Sequence, residues 1–106
     1  MNQMTVCGNA SEPQLKYTTT GMAVATFAVF TKRKVKDEQV STAHNIKAWG
    51  DLAENLCNTI AKGDRVLVTG RLEVEEYNDK EGNSRKNVVL VADEAGISLR
   101  WLRNAD

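Results

Sequence analysis

The scarcities of this sequence narrow its function before any pattern is read. It holds one proline, two cysteines and one histidine, only two each of tryptophan, tyrosine and phenylalanine, and fourteen basic side chains cancelled by fourteen acidic ones. The cancelled charge excludes a polycation held to nucleic acid by total charge alone, so any electrostatic role must come from where the charges lie. Cys7 and Cys57 sit among apolar neighbours without the paired spacing of a zinc site or disulfide framework, and both read as buried thiols. A stable metal site wants three or four convergent ligands; with His44 the sole histidine, no metal or other cofactor is expected. Nucleophile and base at motif spacing, a phosphate-cradling glycine loop and carboxylates in metal-ligand order are all missing, which argues against an enzyme. Also missing are an N-terminal charged segment followed by an apolar run and any run long enough to span a bilayer. A cytoplasmic location is the default expectation.

What remains is an ordinary globular composition, 42% hydrophobic and 26% charged, over a length of 106 residues that suits one domain. Domains this small bury a modest share of their surface, and self-association is a common way of burying more. The charges are segregated along the chain. Lys32, Arg33, Lys34 and Lys36 crowd one stretch, and Glu73, Glu75, Glu76, Asp79 and Glu81 another.

Alternation of apolar and polar residues predicts five strands. Met4 to Asn9 forms the first, closed by the turn-prone Gly8-Asn9 pair. Pro13 interrupts any ladder over Ser11 to Gln14, after which Leu15 to Thr18 reads as extended chain that lengthens this strand. Met22 to Thr31 is the second, with Ala25, Phe27 and Val29 on one face and Thr26, Ala28 and Phe30 on the other. Lys32 to Ser41 is polar and reads as a flexible hairpin tip. His44 to Trp49 is the third strand, placing His44, Ile46 and Ala48 opposite Asn45, Lys47 and Trp49. Over Asp51 to Lys62 the period changes to helical, with Leu52, Ala53, Leu56, Cys57 and Ile60 in one stripe, Asp51 and Glu54 at capping-box positions and Gly63 as the exit. Arg65 to Val74 is the fourth strand, with Val66, Val68, Leu72 and Val74 inward and a bulge or bend at Gly70. A polar loop over Asn78 to Ser84 then leads to the fifth, Lys86 to Ala92. Three strands, one helix and two strands is the order of an all-β, five-stranded Greek-key barrel of the oligonucleotide-binding (OB) type, with its helix between strands three and four.

Several segments occur in an order that resembles the bacterial single-stranded DNA-binding protein family. They are Val6-x-Gly8-Asn9, Leu15-Lys16-Tyr17-Thr18-x-x-Gly21-x-Ala23-Val24-Ala25, Trp49-Gly50-x-Leu52-Ala53-Glu54, Lys62-Gly63, Val68-x-Gly70-x-Leu72 and Asp79-x-x-Gly82. Asp93-Glu94-x-Gly96-x-Ser98-Leu99-Arg100-Trp101 also resembles the actinobacterial branch and implies an extra C-terminal strand after the barrel. The resemblance implies one domain over residues 1–106 that assembles as a homotetramer and coats and protects single-stranded DNA, without sequence preference, in replication, recombination and repair. Family members usually end in an acidic tip that recruits replication and repair enzymes. The sequence runs to Asp106 without such a tip, as either a short paralogue or a trimmed chain would, so that recruitment is not carried over.

Stacked bases need exposed rings, and phosphates need cations beside them. The resemblance assigns stacking to Trp49 and Tyr77, the aromatics before Gly50 and before the Asp79 loop. It departs from the family at Val35 and Ala43, where tryptophan is common, and at Glu73, Glu75 and Asn45, where basic residues are common. Phe30, on the outward parity of strand two, is the candidate to offset the missing rings. Lys32, Arg33, Lys34 and Lys36 are the candidate phosphate contacts, joined by Lys47, Arg71, Arg85 and Lys86 where they face the same groove. His44 and Trp101 are expected at subunit contacts. A second function fits the same residues: Glu73, Glu75, Val35 and Ala43 suit a protein-interaction subunit of a replication or recombination complex that binds DNA only weakly.

Overall fold

A computed structural model describes residues 1–100 and contains six strands and one helix. The strands are β1 (Met4–Ala10), β2 (Gln14–Tyr17), β3 (Ala23–Val35), β4 (Glu38–Trp49), β5 (Arg65–Asn78) and β6 (Ser84–Ile97), and the helix α1 is Gly50–Thr59. In the sheet the order is β1-β5-β6-β4-β3-β2, and β1 also pairs with β3 through Asn9 with Phe30 and Ala10 with Val29. That last pairing closes β1, β5, β6, β4 and β3 into a five-stranded barrel and leaves β2 outside the ring. Every pairing is antiparallel except β4 with β6.

Alternation decides which residues fill this barrel. Ala25, Phe27 and Val29 of β3, Ile46 and Ala48 of β4, and Val66 and Val68 of β5 are buried together, and α1 covers them with Ala53 and Leu56, followed by Ile60. Full burial of an aliphatic side chain of the size of Val, Leu or Ile is worth about 1.5–3 kcal/mol, so this cluster is the main source of stability. Leu52 and Cys57 flank the stripe and are only partly buried. Neither cysteine is the buried thiol expected, since Cys7 and Cys57 are both half-buried; burial nevertheless pushes the Cys57 thiol pKa up.

The helix starts and stops by other means than those predicted. Trp49 occupies the N-cap in an extended conformation without a side-chain cap, and Gly50, at φ 68°, turns β4 directly into the helix. Asp51 therefore lies inside the first turn, where its charge still favours the helix dipole. Thr59 is the last helical residue, and the left-handed Gly63 belongs to the following turn, in which Asp64 Oδ2 accepts from the Ala61 amide at 2.9 Å.

Four further differences come from pairings too distant in sequence for local alternation to reveal. Leu15 to Tyr17 does not lengthen the first strand but forms a hairpin with β3, in which Gln14 faces Thr26 and Lys16 faces Val24. Lys32 to Ser41 is not a flexible tip: β3 and β4 stay paired out to Val35 and Glu38, joined by Lys36 and Asp37 at φ 51° and 68°. Two successive positive φ values suit the tight turn whose twist matches a hairpin. Asp93 to Ile97 does not start a new strand; it continues β6 against β5, and the strand outside the ring is β2. The pairing register shifts between Thr69 with Glu94 and Gly70 with Ala92, so Asp93 is the extra residue of a bulge opposite Gly70. Lastly, Leu72 and Val74 keep the inward parity of Val66 and Val68 yet are exposed, because β5 and β6 run beyond the barrel as a two-stranded ribbon.

Candidate nucleic-acid interface

Two residues opposite one another in an antiparallel pair share a face, and the face alternates along each strand. From Val24 with Trp49 to Val35 with Glu38, the β3–β4 register has no break. Trp49, Lys47, Asn45, Ala43, Ser41 and Gln39 therefore lie on one side of β4, and Val24, Thr26, Ala28, Phe30, Lys32 and Lys34 on the same side of β3. Trp49 is 43% exposed and Phe30 37%, so both rings are open to a partner. Phe30 stands directly across from Ala43, supplying a ring on the neighbouring strand where that position lacks one.

The β2 hairpin enlarges this face. Its register sets Lys16 beside Val24, in the row that ends at Trp49, and Gln14 beside Thr26 and Lys47. Lys16 was not among the sequence candidates because its place depends on the β2–β3 pairing. Sequence parity within a strand carries no such information.

On the other side of β4 the face continues onto the β5–β6 ribbon. Asn45 Nδ2 donates to Asn87 Oδ1 at 3.0 Å, and Lys47 Nζ lies 2.5 Å from Glu75 Oε1. A hollow of about 400 Å³ runs along this seam, lined by Ser11, Glu12, Gln14, Thr26, Lys47 and Glu75, among others. Since β5 has no irregularity after Gly70, Arg71, Glu73, Glu75 and Tyr77 all lie on this face, with Arg85 opposite Tyr77. Tyr77 is 53% exposed.

The cations divide into two groups. Among the described residues, Lys16, Lys32, Arg33, Lys34 and Lys36 have no ion-pair partner. Arg33 lies on the opposite face of the β3–β4 ribbon from Lys32 and Lys34, and Lys36 lies in its turn. By contrast, Lys47 is paired with Glu75, Arg71 with Glu73 at 3.0 Å and Asp93 at 3.8 Å, and Arg85 with Asp79 at 2.9 Å. Lys86 sits opposite Glu76 on the far face of the β5–β6 ribbon, away from Tyr77. Asp79 does more than pair: its Oδ1 accepts the amides of Glu81 and Asn83 at 3.0 and 2.9 Å and so shapes the turn. The Arg85 guanidinium, then the Asn83 amide, hold its carboxyl below the ordinary carboxylate range.

The far face of both ribbons has a different character. Leu72, Val74 and Val88 are exposed there, the last two directly opposite each other, and beside them a hollow of about 220 Å³ between β4 and the β5–β6 ribbon is lined by Met4, His44, Leu72, Val88 and Leu90, with Ala43 and Asn45 at its edge from the Trp49 side of β4. His44 is half-buried, its Nε2 3.0 Å from Thr31 Oγ1. Trp101 lies outside the described residues. No helix among those residues is long and apolar enough to cross a membrane.

Comparison with known proteins adds an independent line. The model of the single-strand binding protein family matches residues 1–98. The chain is 37% identical to a single-stranded DNA-binding protein of Paenarthrobacter nicotinovorans, over 92% of this chain and 62% of that protein. It is 36% identical to one from Mycolicibacterium smegmatis, over 92% of this chain and 64% of that relative. With one from Corynebacterium glutamicum the identity is 33%, over 94% of this chain and 48% of the relative. The chain thus spans less than two thirds of the length of these curated relatives.

Proposed function

Because the chain belongs to the single-strand binding protein family, we propose that it binds single-stranded DNA without sequence preference, through the face that carries Trp49 and Phe30. The observation that carries this reading is the coincidence, on one side of the β2–β3–β4 sheet, of two exposed rings and three lysines, Lys16, Lys32 and Lys34, with no ion-pair partner among the described residues. Each base stacked on a ring is worth about 1–3 kcal/mol and any base will serve, while lysines beside the rings follow the phosphates. Lys36 and Arg33 extend the positive charge to the tip of the ribbon. Tyr77 with Arg85, and Arg71 beyond them, offer a second platform whose cations are already matched by carboxylates. Nothing in this mode reads base edges, and none of it needs covalent chemistry. The biological role that follows is coating and protection of exposed strands during replication, recombination and repair in the cytoplasm, at the nucleoid.

Titration with oligo-thymidine tests this directly. Intrinsic tryptophan fluorescence is expected to be quenched by single strands and not by duplex. Binding should weaken with salt along a slope of about −2 to −3.5 in log K against log salt, about −0.7 for each of the three to five cations engaged. Absence of quenching and of binding at low salt would favour the other reading, a protein-interaction subunit. The three carboxylate-paired cations on the face are the specific observation on its side.

The same proposal includes self-assembly into a homotetramer. Leu72, Val74 and Val88 form an apolar strip that a lone copy leaves in water, next to the hollow lined by His44. A second copy covering it would bury all three, with His44 at the contact. Val74→Asp should then lower the mass measured by light scattering; an unaltered mass would remove this strip from the subunit contact.

A further inference from the structure

Among the described residues, Lys47 is the cation of the face that has both a ring and a carboxylate in contact. Its ammonium is 5.7 Å from the centroid of the Trp49 ring and 2.5 Å from Glu75 Oε1, and its side chain is 22% exposed where that of Glu75 is 42%. Trp49 and Lys47 come from β4, Glu75 from the β5–β6 ribbon, so the contact joins two separate walls of the hollow. The Asn45–Asn87 hydrogen bond lies beside it and holds the same walls together.

We infer that Glu75 is a latch on the DNA face, setting affinity by holding Lys47 against Trp49 until a strand displaces it. The inference rests on the reading of this face as the DNA site. Its physical content is competition. A phosphate that approaches Lys47 meets an ion pair and not a free cation, and gains only the difference between the two partners. A base that approaches Trp49 meets the ammonium over the ring. Both are relieved together when Lys47 leaves Glu75. Because the counterion of Lys47 is part of the protein, its release adds nothing to the salt dependence that free cations generate. Asp79 holds Arg85 opposite Tyr77 in the β5–β6 register, but among the described residues the cation found over a ring is Lys47, so the coupling of charge to stacking is most direct at Glu75.

The test is a double-mutant cycle on the full chain, read by anisotropy of a labelled oligo-thymidine at several salt concentrations. Glu75→Gln keeps the size of the side chain and removes its charge. It should bind about twofold to fivefold more tightly than the parent at low salt, and the salt slope should steepen by about 0.7, one more phosphate neutralised. In a Lys47→Met background the same change should alter affinity less than about twofold, since the latch has nothing left to hold. Parent and Glu75→Gln proteins binding equally would overturn the latch and leave the DNA site standing, as would a gain that persists without Lys47, which marks plain repulsion between carboxylate and phosphate. Binding by neither protein would overturn the DNA site and the latch with it.

Discussion

Replacing Trp49 with alanine should weaken binding of oligo-thymidine by about five- to 150-fold, the range set by the loss of about 1–3 kcal/mol of stacking on one ring. Anisotropy of a labelled strand is the measurement to use, because Trp101 would confuse the intrinsic signal. The fold should survive: Trp49 is 43% exposed, the barrel residues lie on the other side of β4, and the turn into the helix depends on Gly50 and not on the indole. Trp49→Phe should retain most of the affinity, since a smaller ring still offers a face. Two features favour Trp49 over Phe30 and Tyr77 as the main platform of the proposed site. It has the largest ring, and it lies in the row with Lys16, an unpaired cation, whereas Tyr77 faces an arginine already bound to Asp79. An alanine variant that binds within twofold of the parent would move the site elsewhere, with the β5–β6 ribbon as the next place to look.

What the sequence disclosed of this site, and what it concealed, follows from the range over which each feature is determined. Parity within β4 is local, and it placed Trp49 with Lys47 and Asn45 on the outward side, where the structure has them. The barrel core was legible for the same reason at Phe27, Val29, Ile46, Val66 and Val68. Leu72 and Val74 obey the same alternation, but parity tells only which way a side chain points. Whether anything lies there to bury it depends on how far the ribbon outruns the barrel. The paired extension of β3 and β4 was hidden because its turn uses Lys36 and Asp37 at positive φ, with no glycine to mark it. The pairing of Lys47 with Glu75 needs the parallel β4–β6 contact and the β5–β6 register together. From the sequence, Glu75 could be seen only as an unfavourable charge on the face, not as the partner of the lysine beside Trp49.

Gly70→Ala should cost about 3 kcal/mol or more of stability, because the added methyl has no space that the backbone could yield cheaply. A Cβ built there would lie 1.9 Å from the carbonyl oxygen of Val91, 2.8 Å from its carbonyl carbon and 3.0 Å from Ala92 Cα. All three are backbone atoms of β6, so relief requires moving a strand and not a rotamer. Position 70 is the inward site between Val68 and Leu72, opposite the strand where Asp93 makes the bulge. The bulge is what lets β6 present Leu90 and Ala92 to the core before it, and Ala95 and Ile97 to the same core after it, although the two pairs differ in parity. Parting the strands at Gly70 would thus spoil the register on both sides, within the barrel and in the ribbon that holds Glu75 and Tyr77. For a domain of this size the expected loss corresponds to a fall in melting temperature of about 12 °C or more. Gly96→Ala is the matched control, since a Cβ at that position meets nothing within 4 Å and should leave the melting temperature almost unchanged. A Gly70→Ala protein as stable as the Gly96→Ala control would show that β5 and β6 separate easily at the bulge. The ribbon would then be a hinged arm and not a rigid wall of the proposed DNA face, and the Lys47–Glu75 pair and the Asn45–Asn87 hydrogen bond would be the side-chain contacts that hold it against β4.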